Sequence, residues 1–251
     1  MSQNVSAIRP ASVPTTTSEP FDTGLLRRAP IFSELDEPVL SRLGAFSNLL
    51  SVSDQTILCR QGQPADRLHI LLEGQVTLSN TAPNGDSVVV EVVRPGGHFI
   101  LATMLAGLPY LMNAEAIAPS RMVVVEAAGL LSLLRAETSL SAALMRAEAL
   151  DFRDLVRQVC DLKLRTTAQR LGCYLLALSK DPTTNTASLR LPFDKRLLAA
   201  RLGCRQENLS RAFAALRGFG VETHGARVIL HDIASLRAYS VPDDFMDVEP
   251  A

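Results

Sequence analysis

Three kinds of hydrophobic pattern follow one another along the chain. Residues 1–24 are rich in Ser, Thr and Pro and have little periodicity, which predicts a disordered tail. Short apolar clusters over 25–50 predict short helices. Residues 55–127 then change to short apolar or alternating runs separated by turn signals, which are typical of strands. Over residues 128–164, apolar positions recur every three or four residues, which is the period of an α-helix.

The strand-like runs consist mainly of β-branched and aliphatic residues bounded by Gly, Pro and Asn. They cover residues 56–59, 68–72, 76–78, 88–93 and 122–125. The run Pro83-Asn84-Gly85-Asp86 is the clearest hairpin turn between two of them. Many short strands at nearly regular spacing indicate a sandwich, jelly roll or barrel, so we expect residues 25–135 to form one β-rich domain.

Residues 136–164 predict one long helix with two apolar stripes. The first stripe has spacings of four and three, which is a heptad seam suited to a partner helix: Met145, Ala149, Phe152, Val156 and Val159. The second stripe is Leu140, Leu144, Ala147, Leu150 and Leu155. A helix that is apolar on two sides needs two partners. We assign the second stripe to the β-rich domain and the first to the same helix in another copy, with burial inside one monomer as the alternative.

Residues 194–219 have the pattern of two helices joined by a tight turn. Asp194 can cap the first helix, and Gly203 stands where the turn needs a residue that tolerates positive φ. In the second helix, Leu209, Phe213 and Leu216 fall on one side, which predicts that this side is buried. The other side carries side chains suited to base edges and phosphates: Arg205, Gln206, Glu207, Ser210, Arg211 and Arg217. The pattern predicts a helix-turn-helix that reads DNA.

The sequence after this motif strengthens the prediction. The runs 221–224 and 227–230 flank a Gly-Ala pair and predict a β-hairpin, placed where a winged helix carries its wing. Residues 165–240 hold 12 Lys and Arg against 5 Asp and Glu, whereas the remainder of the chain holds 13 against 21. A basic domain over 165–240 favours nucleic acid as its partner. Residues 241–251 form an acidic tail.

Other functional classes leave weaker signals. No apolar run approaches the length of a membrane span, so we expect a cytoplasmic protein with no membrane partner. The cysteines, Cys59, Cys160, Cys173 and Cys204, lack metal-ligand spacing and are interpreted as small apolar residues, with a redox role as the alternative. We expect no catalytic or metal site, because no nucleophile elbow, metal-spaced histidine pair or Walker loop is present. An enzyme that uses an apolar pocket is the competing hypothesis.

The order of these parts resembles the regulators of the cyclic-AMP receptor protein and FNR family over residues 25–240. LCRQGQPA at 58–65 with LHILLEG at 68–74 is similar to the first half of the family's cyclic-nucleotide-binding fold. RPGGHFI at 94–100 is similar to the loop before its phosphate-binding element, and Glu207-x-x-Ser210-Arg211 to the FNR-type recognition helix. Three further runs most resemble the FtrB-type activators, and more distantly the DNR-type regulators: HFILA at 98–102, PYLM at 109–112 and PFDKR at 192–196.

This resemblance implies an α+β chain: a cyclic-nucleotide-binding-like β-roll (jelly roll), a long dimerisation helix and a C-terminal winged helix-turn-helix. It implies a homodimeric transcription activator, with double-stranded DNA and RNA polymerase as its partners. The FNR-type signature implies a TTGAT…ATCAA palindrome. Gln206 stands where cyclic-AMP-type proteins carry a second base-reading Arg, which argues against their TGTGA half-site. The alternative is a ligand-binding module whose winged helix docks a protein.

The signal that such a domain senses stays open. Family members that bind cyclic AMP hold its ribose with a Glu and its phosphate with an Arg-Ser pair. The matching positions in this sequence are Ala102 for the Glu and Met112 and Asn113 for the pair, so no cation is available for the phosphate. No cysteine precedes Cys59, so an N-terminal iron–sulfur cluster is also not expected. The candidate effector pocket comprises His98, Met104, Tyr110, Met112 and Asn113. A haem ligated by His and Met, a small apolar or aromatic effector, or no ligand are the remaining interpretations.

Overall fold

The computed structural model describes residues 21–84, 87–179, 184–191 and 194–243. Most of the tail predicted for 1–24 lies outside these residues, as do Gly85 and Asp86 of the predicted hairpin turn and the acidic tail beyond Asp243. The chain divides after Ala149 into two compact units. Both helices and sheets are present, so the α+β prediction is confirmed.

The first unit opens with short helical segments, as predicted. They are α1 (Gly24–Arg27), a 3₁₀ turn (Pro30–Phe32) and α2 (Glu37–Gly44). Asp36 caps α2, because its side chain accepts a hydrogen bond from the Val39 amide at 3.1 Å. The helical prediction for 25–50 was wrong at its end, where a strand begins at Ser47 and pairs with a strand more than 70 residues away.

Within the described residues, the first unit has two four-stranded antiparallel sheets. One has the order β1-β8-β3-β6 and the other β2-β7-β4-β5. The strands are β1 (Ser47–Val52), β2 (Thr56–Cys59), β3 (Arg67–Glu73), β4 (Val76–Thr81), β5 (Ser87–Val93), β6 (His98–Phe99), β7 (Asn113–Ala116) and β8 (Ser120–Glu126). All five predicted strands are confirmed. The two-residue β6, the four-residue β7 and the short helix α3 (Leu101–Leu105) were missed, because they are too short to show a period.

Strand β3 has a buried surface on both sides, which explains its continuous apolar run. Leu68, Ile70 and Leu72 pack into a core shared with the N-terminal helices. Leu71 packs into a second core between the two sheets, together with Phe99 and other residues. We call this second core the roll interior.

The long helix starts slightly later than predicted. Helix α4 (Ala127–Ala136) ends at Glu137, which has an extended backbone, and α5 covers Thr138–Leu164 instead of 136–164. Leu140, Leu144 and Ala147 of the second stripe are buried in the first unit's helical core, as expected. Leu150 and Leu155 are 40% and 53% exposed, so their assignment to the β-rich domain was wrong.

The second unit contains three helices before its wing. They are α6 (Thr167–Leu178), α7 (Lys195–Arg201) and α8 (Gln206–Leu216), and a 3₁₀ turn (Arg217–Phe219) follows α8. A three-stranded antiparallel sheet has the order β10-β11-β9, formed by β9 (Ala187–Arg190), β10 (Val221–His224) and β11 (Arg227–Leu230). The chain then forms α9 (Ile233–Ser240), which the sequence analysis did not predict.

Candidate DNA-binding interface

The turn between α7 and α8 follows from two local features. Asp194 caps α7, since its carboxylate accepts a hydrogen bond from the Leu197 amide at 2.8 Å. Gly203 has a φ of 61°, and a Cβ at this position would lie 2.5 Å from the side chain of Leu162. The turn therefore favours glycine for its left-handed backbone conformation, and a larger residue would also displace the end of the Leu162 side chain.

Helix α8 has the two faces that its sequence predicts. Leu209, Phe213 and Leu216 are at most 7% exposed, and Ala212 joins them. The six predicted DNA-binding side chains are all exposed: Arg205, Gln206, Glu207, Ser210, Arg211 and Arg217. Arg205 precedes the first turn of α8, whereas Arg217 lies in the 3₁₀ turn at its far end, about 16 Å further along the axis than Gln206.

A buried arginine, which the sequence analysis missed, stabilises the turn between α7 and α8. Arg170 of α6 is 8% exposed. Its guanidinium donates to the carbonyl oxygen of Leu202 at 2.9 Å and to that of Arg165 at 2.8 Å. It thereby connects the C-terminal end of α7 to the junction between α5 and α6. One Arg in an apolar helical run gives no sequence signal for this role, because the Leu202 carbonyl oxygen lies 32 residues further along the chain.

An open hollow of about 260 Å³ lies beside the polar face of α8. The start of α6 and one side of α8 line it, and its lining residues are Thr166, Thr167, Ala168, Asn208, Arg211, Ala212 and Ala215. Thr166 and Gln169 form a capping box there, with the Gln169 amide donating to the Thr166 hydroxyl at 3.3 Å. Hydroxyls, a guanidinium and the positive end of a helix make this hollow suitable for an anionic group.

The wing forms at the predicted positions. Strands β10 and β11 pair antiparallel, and Gly225 in the turn has a φ of 62°. The Glu222 carboxylate lies 2.7 Å from His231 Nε2 and 2.8 Å from His224 Nε2. The hydrogen bonds from His231 and then His224 lower the pKa of Glu222. Arg227 donates from Nε to the Ser188 hydroxyl at 2.9 Å, so the wing carries a guanidinium positioned by β9.

Comparison with known proteins assigns both parts of the chain to domain families. Residues 49–137 match the cyclic nucleotide-binding domain family, and residues 169–239 match the Crp-like helix-turn-helix domain family. The chain is 24% identical over 213 residues to the CRP-like cAMP-activated global transcriptional regulator of Mycobacterium tuberculosis, covering 83% of this chain and 95% of that protein. It is 28% identical over 184 residues to the nitrogen fixation regulation protein FixK of Azorhizobium caulinodans, covering 70% and 72%.

A solved structure from Ruegeria pomeroyi, of a protein assigned to the cyclic nucleotide binding proteins, is also similar. It is 31% identical, has a TM-score of 0.58, and the match covers 88% of this chain and 97% of that one. This chain belongs to the CRP/FNR family of transcription regulators. Its matched domains and relatives are transcription regulators rather than enzymes, so the competing enzyme hypothesis is wrong and the helix-turn-helix is a DNA-binding one.

In this CRP/FNR regulator, three of the five candidate effector residues lie at the roll interior or beside it. Tyr110 is 5% exposed and donates its hydroxyl to Asp66 Oδ1 at 3.0 Å. Burial, helped by the Asp66 hydrogen bond, raises the pKa of Tyr110 to about 12. Met112 packs against the same core, and Asn113 Oδ1 accepts a hydrogen bond from the Gln61 amide at 3.0 Å.

The other two candidates lie on the opposite side of the sheet. Met104 is buried in the helical core. His98 pairs directly with Ile70, and directly opposed residues of antiparallel strands share one side of a sheet, so His98 lies on the helical side as well. The structure therefore does not bring His98 and Met104 together with Tyr110, and the roll interior gives no support to a haem held by those two side chains.

The histidine on the side of the roll interior is His69, which the sequence analysis did not select. It is 3% exposed and stacks on Phe99 with 4.9 Å between ring centroids. Its Nδ1 has no hydrogen-bond partner within the described residues. Burial lowers the pKa of His69 to about 4, so the imidazole is neutral at neutral pH. Its apolar neighbours in β3 concealed it in the sequence.

The cysteines separate into two pairs. Cys59 and Cys173 are buried, which agrees with the interpretation of small apolar residues, whereas Cys160 and Cys204 are half-buried. Burial raises the pKa of the Cys59 thiol to about 11. Among the described residues, no group of three or more His, Cys, Asp or Glu is arranged to hold a metal ion. No described helix is long and apolar enough to cross a membrane.

Proposed function

We propose that this CRP/FNR regulator is a homodimeric activator that reads an FNR-like palindrome and contacts RNA polymerase when bound to it. The observation that carries the proposal is the exposed polar face of α8. The opposite face of this helix is buried in the core of a basic domain, which fixes the polar face toward solvent. The sensed effector would act through the first unit. A ligand can change DNA binding only if its affinity differs between two arrangements of the dimer, one that can bind DNA and one that cannot.

Base reading is assigned to the first turns of α8. Glu207 is an acceptor and suits the amino group of cytosine, and Arg211, one turn further along, can bind guanine O6 and N7 in a bidentate manner. Ser210 lies between them and is short enough to contact a thymine edge. This set supports a TTGAT-type half-site, and the helix would enter the major groove with Arg205 and Gln206 leading.

Phosphate contacts are assigned to three places around this helix. Arg217 lies at its far end, and Arg227 lies in the wing. The hollow at the start of α6 offers Thr166 and Thr167, and a phosphate there would lie near the positive end of that helix. These contacts position the domain on the duplex without selecting a sequence.

The dimer is assigned to the first apolar stripe of α5. Met145 and Phe152 are each 68% exposed, and Val156 and Val159 are more than 40% exposed. Ala149 is exposed too. A row of large exposed apolar side chains along one helix is unusual for a monomer and marks an interaction surface. Its heptad spacing suits the same helix of a second copy.

The effector is proposed to be something other than cyclic AMP. Met112 is a half-buried thioether and Ala102 an exposed methyl group, so neither supplies charge to a cyclic phosphate. Titration calorimetry with micromolar cyclic AMP should show no saturable heat. Micromolar binding would overturn this interpretation. The neutral His69 and the Tyr110 hydroxyl beside an apolar core suit a small apolar or aromatic effector instead.

Selection of binding sites from a random duplex pool tests the proposed function. We expect enrichment of a sequence with twofold symmetry whose half-sites are about one helical turn apart, 34 Å. Enrichment of a motif without twofold symmetry would contradict the dimeric reading of DNA. No enrichment at all, with protein ligands recovered instead, would favour a winged helix that docks a protein.

A further inference from the structure

The three-stranded sheet of the wing carries a row of basic side chains that crosses all its strands. Arg227 of β11 lies directly opposite His224 of β10 on one side and Arg190 of β9 on the other. Directly opposed residues of antiparallel strands share one side of a sheet, so the three side chains lie together on one side. All three are exposed. We call Arg190, Arg227 and His224 the wing row.

The wing row lies at the tip of the wing and faces solvent. His224 and Arg227 flank the hairpin turn at 225–226. The next pair inward from this end of the sheet, Leu189 with Val228, is buried. Because side chains alternate between the two sides of a strand, the wing row lies on the side away from the domain core.

Two members of the wing row are guanidinium groups at directly opposed positions. Like charges at such positions destabilise a sheet. Within the described residues, Arg190 has no ion-pair or side-chain hydrogen-bond partner, and Arg227 donates only from Nε, to the Ser188 hydroxyl at 2.9 Å. Two adjacent guanidinium groups with no carboxylate between them suit an anion that has several oxygens. A phosphate is such an anion, and guanidinium groups bind it in a bidentate manner.

His224 can donate to a phosphate only in its protonated form. Its Nε2 lies 2.8 Å from Glu222 Oε1, and His231 Nε2 lies 2.7 Å from Oε2 of the same carboxylate. An ionised carboxylate is an acceptor only, so Nε2 carries the hydrogen in both rings. In neutral His224, Nδ1 is therefore an acceptor, which a phosphate oxygen repels. In the imidazolium, Nδ1 gains a hydrogen and can donate to that oxygen.

The charged and titratable groups around His224 come from each strand of the sheet and from the turn after β11: Glu222, Arg227, Arg190, His231 and Asp232. Asp232 caps α9, where it accepts a hydrogen bond from the Ser235 amide at 3.0 Å. While both histidines are neutral, Glu222 offsets one of the two arginine charges. Protonation of His224 offsets Glu222 in turn and restores the full positive charge of the wing row.

We infer that the wing row binds a backbone phosphate of DNA, with Arg190 and Arg227 charged throughout and His224 joining them when it is protonated. The inference rests on the proposed reading of DNA by α8, and it adds Arg190, His224 and a proton to that site. DNA binding then takes up protons, so affinity rises as pH falls through the range in which imidazole titrates. Above that range only the two arginine contacts remain.

Fluorescence anisotropy with a labelled TTGAT…ATCAA duplex, at pH 8 and pH 6 and constant ionic strength, tests the histidine. The wild type should bind about tenfold more tightly at pH 6, because an exposed charge pair contributes about threefold at each of two half-sites. His224→Gln keeps a hydrogen-bonding side chain that does not titrate. It should bind like the wild type at pH 8 and show no tightening at pH 6. His69 stays neutral at both pH values, since its pKa is about 4.

His231→Gln is the matched control for His224→Gln. It removes an imidazole of similar exposure from the same carboxylate, but from a position outside the wing row. This control should retain most of the tightening at pH 6. Full tightening in His224→Gln, or equal loss of the pH response in His231→Gln, would show that His224 does not contact a phosphate from the wing row.

Arg190→Gln tests the second new member of the wing row. It should weaken binding at both pH values and reduce the slope of log affinity against log salt concentration by about one per half-site. Arg237→Gln removes the same charge from the exposed surface of α9 and should leave the slope unchanged. Equal slopes for the wild type and Arg190→Gln would overturn the phosphate contact. If the wild type fails to bind the duplex at either pH, the proposed function itself is refuted. If it binds and neither His224→Gln nor Arg190→Gln has an effect, the wing row alone is refuted.

Discussion

At the scale of single residues, His69 is the most perturbed group at the roll interior. Its pKa of about 4 in the folded protein lies below the value near 6.5 of an unfolded histidine. As pH falls from about 6.5 to 4, His69 is therefore protonated in the unfolded chain but stays neutral in the native state. The native protein loses stability over this window, and above it the group contributes no pH dependence.

The expected change is measurable by denaturant unfolding at several pH values. His69→Leu keeps a side chain of similar size and cannot titrate. Between pH 6.5 and pH 4, the free energy of unfolding of the wild type should fall by about 3 kcal/mol more than that of the variant. The carboxylates titrate in both proteins and cancel in the comparison. Parallel pH profiles for the two proteins would show that His69 is not buried as a neutral imidazole.

Arg211 and Arg217 are two exposed arginines with different assigned partners. Arg211→Ala should weaken binding by about 1–3 kcal/mol per half-site and relax the preference at one G·C pair. Arg217→Ala should weaken all sequences alike and reduce the salt dependence of binding, because this side chain is assigned to a phosphate. Competition binding with each single-base variant of the selected site measures both effects. An unchanged base preference in Arg211→Ala would remove it from the base-reading set.

At the scale of elements, α5 has an exposed apolar seam whose central large side chain is Phe152. Phe152→Asp would place a carboxylate from each copy in a dry interface, at a cost of several kcal/mol per ion. Sedimentation velocity should therefore show a monomer. Gln158→Glu is the matched control, because it adds the same single charge about 140° around the helix from the seam.

The two variants together decide the assignment of the seam. The control should sediment as a dimer, like the wild type. If Phe152→Asp is as dimeric as the wild type, the copies associate through another surface. If Gln158→Glu also dissociates, the contact covers more of the helix than the heptad stripe indicates.

At the scale of the whole molecule, a symmetric dimer imposes a fixed spacing on its DNA site. Insertion of five base pairs between the half-sites turns one of them by about half a helical turn, out of reach of its recognition helix. Affinity should fall by about a hundredfold or more, toward that of a duplex with one half-site. Electrophoretic shifts of the two duplexes measure this. Equal affinity for the normal and lengthened sites would show that the two units read DNA independently.

Elements with strong local signals were predicted closely. The helix-turn-helix and the wing follow from an N-cap aspartate, a turn glycine and strand-length alternation, all within a few residues of one another. Strand β1, in contrast, was taken as helical, because its pairing with β8 lies far away in sequence. The break at Glu137 was also missed, since no Gly or Pro marks it. Helix α9 was missed although Asp232 caps it, accepting a hydrogen bond from the Ser235 backbone amide at 3.0 Å, because its eight residues are too few to show a clear period.

The sequence by itself determined the order of the parts, the two faces of α8, the exposed seam of α5 and the family resemblance. These depend on periodicity and on short motifs, which are local properties of a chain. The tertiary structure decided which side of a strand each residue occupies. It placed His69 at the roll interior and His98 on the helical side, and it left Leu150 and Leu155 exposed. It also decided that Arg170 supports the turn and that Arg165 donates to the Val241 carbonyl oxygen at the end of α9. Hydrogen bonds between a side chain and a carbonyl oxygen far away in sequence exist only after the helices have packed.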